Sequence, residues 1–448
     1  MNTRLVFKLK YKRNKMIMRR YAQDRKYILS RTTICNLILI GCLAIPLSGI
    51  SNELILKEGD RVAIVGDSIT EQKQYSKFIE LYLLACVPEL DLTTFQFGWG
   101  GERAPGFANR MENDLVPWQP TVVTTCFGMN DGSYRPYTDS IGKTYGKGTQ
   151  RIQNRCKELG VRMIVGGPGP VDSQSWKPDT PDADNFYNEN LGKLSDIAGT
   201  MAVSNDFVYA ELHPIMMQVM QDAKASLGED YRVCGNDGVH PGANGHLVMA
   251  YAFLKAMGLD GEIGTITVDS KGTATATAGH KVLSEENGTI TIESSRYPFC
   301  FIDKNSRSIL PFVPFNQDLN RYMLIVKDLP AQTAEIKWGE VSKTFTKEQL
   351  VAGINLAAEF LDNPFSKQFD SLNRVVSKKQ AQETRAIKSF ITNFRYLKKD
   401  FSDDKEIETA TEILSRKLME QNEKYADEAR AAVKPVTHTI QITPIKEK

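Results

Sequence analysis

Pairable cysteine is what this 448-residue sequence most lacks. Its 7 cysteines fall at positions 35, 42, 86, 126, 156, 234 and 300, with no Cys-x-x-Cys pair and no histidine beside them at metal-ligand spacing. Neither a disulfide framework nor a zinc site is legible in that pattern. Cys35 and Cys42 belong to an N-terminal leader; Cys86 and Cys156 fall in helix-like segments and Cys126 ends an apolar strand, so these three read as small core residues. No repeat of clear period and no low-complexity tract is present. Hydrophobic residues at 41% and charged residues at 25% exclude a mostly disordered, collagen-like or polytopic membrane protein. The length implies two or three folded units.

Basic charge is also scarce once the leader is set aside. Residues 1 to 51 hold eleven Lys or Arg against the single acid Asp24, a charge of +10, so that of +2 overall the remainder carries −8. A chain that acidic is a poor partner for a phosphate backbone, and nucleic acid is excluded as an expected partner. The basic stretch ends at Arg31 and is followed by an uncharged run, Thr32 to Asn52, with an apolar centre at Cys35 to Ile40 and then Pro46, Ser48 and Gly49. This is the order of a secretory signal, with Gly49 and Ser51 at minus three and minus one for a cut before Asn52. Two alternatives stay open: an uncleaved membrane anchor, or lipidation of Cys42 in Leu39-Ile40-Gly41-Cys42, which resembles a bacterial lipoprotein box. Pro46 and the weak apolarity around it favour cleavage. On each reading the protein is exported, to the periplasm, the cell envelope or the medium, and meets a membrane only through this segment.

From Asn52 onward strand and helix signals alternate. Strand-like runs occur at Arg61 to Gly66, Leu92 to Phe97, Thr121 to Phe127, Val161 to Val165 and Phe207 to Ala210, with helix patterns at Tyr75 to Cys86, Gly148 to Leu159 and Asn185 to Val203. Apolar strands separated by helices need crossover connections, so the fold class is α/β: a five-stranded parallel sheet in a flavodoxin-like three-layer arrangement. In such sheets the ligand site lies beyond the carboxyl ends of the strands.

Four blocks fall at those ends. Gly66-Asp67-Ser68-Ile69-Thr70 puts a serine directly after a strand and at a helix start, where helix N–H groups lie behind its hydroxyl. Gly98-Trp99-Gly100-Gly101-Glu102 lets a backbone N–H approach a ligand. Gly128-Met129-Asn130-Asp131-Gly132 offers the Asn130 amide, and Asn236-Asp237-Gly238-Val239-His240-Pro241 sets a carboxylate three residues before an imidazole. Each block alone also reads as a cap or a turn. Together, in this order, they resemble the consensus blocks of the SGNH or GDSL hydrolase superfamily over about Leu54 to Leu259. Ile69 stands where that family usually has Leu, and Gln96-Phe97 where it often has an Asn before the glycine turn.

The resemblance implies a serine esterase in which Ser68 is the nucleophile, His240 the base and Asp237 the residue that orients it. The Ser68 and Gly101 N–H groups and the Asn130 amide would form the oxyanion hole, and no metal or organic cofactor is implied. His213 in Glu211-Leu212-His213-Pro214 lacks an acid three residues earlier, and His246 opens the last helix of the domain as a packing residue or a pocket wall. Asp67 is expected to support the serine turn, Asp131 to hold its loop, and Trp99 either to pack or to face substrate.

After Leu259 the character changes. Residues 261–346 alternate Thr, Val and Ile, with Asn287-Gly288 as a hairpin turn, and predict an antiparallel β unit. Residues 347–448 turn helical, with Ser366 to Lys398 and Asp403 to Ala432 as a helical pair and Thr437 to Ile442 as a possible added edge strand. The expected organisation is thus a leader to residue 51, a hydrolase domain at 52–260, the β-rich unit and the helical region. The leading expectation is an esterase releasing short acyl groups, acetyl first, from a carbohydrate or similar hydrophilic ester. The absence of a long apolar lid after the leader weighs against a lipase. Two other readings stand beside it: a carbohydrate-binding or surface-attached module with a vestigial hydrolase domain, and an acyltransferase using the same residues.

Overall fold

The computed structural model describes residues 53–176, 186–269 and 272–445; the segment read as a leader, the cut expected before Asn52 and Cys42 lie outside them. Short apolar runs form the first sheet: β1 (Arg61–Gly66), β2 (Thr93–Gly98), β3 (Val122–Cys126), β4 (Arg162–Gly166) and β5 (Val208–Ala210). They pair in parallel in the order β2-β1-β3-β4-β5. Between and after them run α1 (Ser68–Glu71), α2 (Tyr75–Cys86), α3 (Ala104–Asp114), α4 (Asp139–Glu158), α5 (Phe186–Ser204), α6 (Leu212–Leu227) and α7 (Ala243–Ala256). Alternation along β1 sorts the layers: Val62 and Ile64 pack with α2, α6 and α7, whereas Ala63 and Val65 pack with α3 and α4. Burying each such large apolar side chain stabilises the fold by ~1.5–3 kcal/mol.

Strand register sets up the chemistry. Gly66 ends β1 level with Gly98 of β2 and Cys126 of β3, so the loops that carry the serine, the glycines and Asn130 leave from one rung. The chain runs from β1 to β2 on one side and to β3 on the other, and the crevice of an open α/β sheet opens at that reversal.

The rest of the chain builds two more sheets. Their strands are β6 (Glu262–Val268), β7 (Ala274–Ala276), β8 (His280–Glu286), β9 (Thr289–Ser294), β10 (Arg321–Val326), β11 (Thr333–Trp338), β12 (Val341–Thr346), β13 (Ile354–Asn355) and β14 (Val436–Ile445). One sheet is ordered β13-β10-β6-β7 and the other β12-β11-β14-β9-β8. Two features depart from the sequence reading. β6 and β10 run parallel within an otherwise antiparallel region. The segment expected as an added edge strand is central: β14 lies between β9 and β11, because His438, Ile440 and Ile442 alternate inward along it. The helical region therefore lends its last strand to the β-rich unit. The β8–β9 hairpin does turn at Asn287-Gly288, both with positive φ.

The helical pair comprises α8 (Ser366–Ala386), a π turn at Ile387–Ile391, α9 (Thr392–Asp400) and then α10 (Lys405–Ala431). α8 covers the open edge of β2. Lys379 Nζ donates to the Thr94 carbonyl at 2.7 Å and Glu383 accepts from the Gln96 N–H at 3.1 Å, so the backbone groups an edge strand leaves unpaired are satisfied by side chains. Lys379 is itself held between Glu80 at 2.8 Å and Glu383 at 2.6 Å, all three fully buried. Among the described residues no helix is long and apolar enough to cross a membrane.

Candidate active site

Ser68 opens α1, and its local geometry is set by its neighbour. Asp67 is the N-cap, extended at φ −92°, with its carboxylate accepting from the Ile69 N–H at 3.0 Å. As the first helical residue, Ser68 keeps an N–H that no helix carbonyl can take. Gly98 of β2 lets α1 sit close, since a Cβ there would meet the Glu71 nitrogen at 2.2 Å. Gln96, the departure from the family pattern, ties strand to helix by donating to the Thr70 carbonyl at 2.6 Å.

The loop after α6 delivers Asp237 and His240. Asp237 Oδ1 accepts from the Val239 and His240 N–H groups, both at 2.9 Å, and its Oδ2 lies 2.6 Å from His240 Nδ1. A carboxylate only accepts, so Nδ1 carries the hydrogen and Nε2 presents a lone pair. That nitrogen lies 2.8 Å from Ser68 Oγ and receives its hydrogen bond. Burial alone would raise the Asp237 carboxyl, but the hydrogen bonds from the His240 backbone and ring, with the Val239 N–H, outweigh it and hold the pKa below the ordinary value. The imidazole is about one-third exposed, within reach of a dissolved substrate.

The glycine and asparagine blocks meet beside this pair. Gly101 has φ +72°, where a side chain would be strained, and is exposed. Asn130 Nδ2 donates to the Glu102 carbonyl at 3.1 Å, joining the loop after β3 to the loop after β2, and its Oδ1 accepts from the Tyr134 hydroxyl at 3.3 Å. Asp131 accepts from the Ala104 N–H at 3.1 Å at the start of α3. Burial pushes both Asp67 and Asp131 up to about 7, against the backbone N–H bonds that favour their charged forms.

The other histidines stand apart. His213, on α6, is driven down to about 4 by burial. His246 faces Gln72 Oε1 at 2.8 Å and accepts from the Tyr75 N–H at 3.3 Å, a fully buried packing residue rather than an open wall. Trp99 is half-buried, with the Arg110 guanidinium and the Lys388 ammonium each 4.8 Å from its ring. Tyr134, which sequence reasoning did not single out, adopts a left-handed φ of +53° and lies 5.1 Å from the ring of Tyr187. Glu71 and Lys388 were also missed. Glu71 had a local signal, an acid three residues after the serine; Lys388 had none, because it meets Glu71 across 317 residues. Among the described residues no cluster of His, Cys, Asp and Glu has the geometry to hold a metal ion.

Residues 64–248 match the GDSL-like Lipase/Acylhydrolase family, and this part of the chain is a domain of that family, an ester hydrolase. An acetylxylan esterase from Geobacillus stearothermophilus is 21% identical over 224 residues, which make up 45% of this chain and 95% of that protein. A gut microbial diltiazem-metabolizing enzyme of known structure superposes with a TM-score of 0.67 at 23% identity, covering 87% of this chain and 98% of that chain. The fold of that enzyme thus extends over much of the C-terminal region as well as the hydrolase domain, whereas the acetylxylan esterase matches less than half of this chain.

Proposed function

We propose that this protein removes short acyl groups, acetyl first, from a carbohydrate or similar hydrophilic ester, with Ser68 as nucleophile. The observation that carries the reading is the hydrogen-bonded line Asp237–His240–Ser68, at 2.6 and 2.8 Å. Ser68 Oγ attacks the carbonyl carbon while its proton passes to His240 Nε2, and the carbonyl π electrons move onto oxygen. The Ser68 and Gly101 N–H groups and the Asn130 amide receive that charge, each worth ~3 kcal/mol of barrier. Collapse breaks the ester C–O bond and His240 returns the proton to the departing alkoxide. Water, deprotonated by the same imidazole, then attacks the acyl-serine and frees the acid. Asp237 stabilises the imidazolium that forms twice in the cycle.

Carbohydrate as the substrate is supported by the acetylxylan esterase relative and by the exposure of the glycine loop and imidazole, which leave room for a bulky hydrophilic alcohol. Export, read from the leader, would bring the enzyme to polysaccharide. Wild type, Ser68→Ala and His240→Ala are to be compared on p-nitrophenyl acetate and an acetylated xylooligosaccharide. Acetate release by wild type alone is the expected result; equal release by both variants would overturn the assignment. Acetyl transfer to an added sugar in place of acetate release would make the protein a transferase.

A further inference from the structure

We infer that the C-terminal helical region helps build the active site, and that Lys388 is a positioning residue for the oxyanion loop. The inference rests on the esterase reading above and deepens it. Glu71, one turn beyond Ser68 on α1, accepts from the Gly100 N–H at 2.5 Å through Oε2, so the serine helix holds the glycine loop one residue before Gly101. A carboxylate alone, on a short helix beside an exposed loop, has other rotamers open to it. Its second oxygen, Oε1, is held by the Lys388 ammonium at 2.5 Å. The same ammonium lies 4.8 Å from the ring centre of Trp99, the residue before Gly100. One cation therefore touches both anchors of the loop.

Lys388 is delivered by the π turn at the end of α8. Ile387 and Ile391 of that turn are buried in the apolar cluster that holds Phe97 and Phe107, which leaves Lys388 facing the glycine loop. Such single π turns recur at functional sites because the extra residue re-aims side chains. The helix carrying the turn is fixed to the sheet: Thr384 donates to Gln96 Oε1 at 3.0 Å, and Gln96 in turn donates to the Thr70 carbonyl at 2.6 Å. Two routes thus run from the C-terminal helix to the serine turn, one through Gln96 and one through Glu71.

A hydrogen-bond donor displaced by a fraction of an ångström matters most when charge has formed on the carbonyl oxygen, so the effect belongs to kcat more than to KM. Lys388→Met, Lys388→Arg and Glu71→Leu are to be assayed in the full chain on p-nitrophenyl acetate, with thermal melting of each and Ser68→Ala as control. The expected result is a kcat roughly 10- to 100-fold lower in Lys388→Met and Glu71→Leu. KM and the melting midpoint should stay near wild type, and Lys388→Arg should recover most of the kcat. Wild-type kcat in Lys388→Met, or a loss matched by an equal fall in melting midpoint and not rescued by arginine, would overturn the inference. If Ser68→Ala is as active as wild type, it is the esterase reading that fails instead.

Discussion

Among the described residues two serines lie 2.8 Å from an imidazole nitrogen, and the two pairs differ in exposure. Ser68 meets His240 at the rim of the parallel sheet, and Ser294 meets His280 inside the C-terminal β region. His280 Nε2 donates to the Ile263 carbonyl at 2.9 Å, so its Nδ1 accepts from Ser294, just as His240 Nε2 accepts from Ser68. His438 accepts from the Trp338 N–H at 3.2 Å, and so offers its own Nε2–H to Ser294 at 3.1 Å or to the Tyr322 hydroxyl at 3.2 Å. The second network is neutral, satisfied and buried. What distinguishes the first is the carboxylate behind its imidazole and its exposure. A serine–histidine contact is therefore no sign of catalysis until the group that would stabilise the imidazolium, and a path for substrate, are found beside it.

The comparison breaks most sharply on activity. Ser68→Ala is expected to lower kcat by about 10⁴-fold or more with little change in melting, read in steady-state ester hydrolysis. Lys379→Met attacks the junction between the regions: it strands Glu80 and Glu383 in the interior and is expected to cost about 3–5 kcal/mol in denaturant unfolding. Asn130→Ala should lower kcat by about 100- to 1000-fold while the fold survives. Ser294→Ala leaves the buried His280 Nδ1 without its donor, while His438 keeps the Tyr322 hydroxyl, and should cost about 1–3 kcal/mol of stability, with kcat unchanged; a loss of activity at intact stability would blur the distinction between the two serines.

Acid sharpens it least. Burial drives His438 and His246 down to about 3, so the unfolded chain takes up protons below about pH 6.5 that the native state refuses. Stability from these groups is complete above that pH and declines as pH falls toward 4. Buried Asp67 and Asp131, raised to about 7, act oppositely: the native state keeps their protons, and the stability they add at low pH is lost as pH rises through 7. His438→Gln should therefore show a shallower fall in melting midpoint than wild type between pH 6.5 and 4; parallel curves would mean the imidazole is not buried neutral.

The parallel sheet was legible because buried parallel strands are written as short apolar runs, and Tyr75–Cys86 matched its helix end for end. The four site blocks were legible for a related reason: each lies within a few residues of a strand end or a helix start, where local turn chemistry constrains the sequence. The central place of β14 was not, since a strand's neighbours are decided by register over more than a hundred residues. Glu71 and Lys388 escaped for the same cause. A charge pair closed across the length of the chain leaves no spacing to read, and a π turn has no composition of its own. Gln96 looked like a departure from the family pattern; its bonds to Thr70, Thr384 and Glu383 give it a role in docking the C-terminal helix that a hydrolase domain lacking that helix would not need.

The most direct test of an activated serine at the sheet rim is covalent. Wild-type protein treated with a fluorophosphonate and digested should carry one adduct, on the peptide containing Ser68, with Ser294 unmodified and labelling nearly lost in His240→Ala. An adduct elsewhere, or ester hydrolysis that continues with Ser68 unlabelled, would contradict the account.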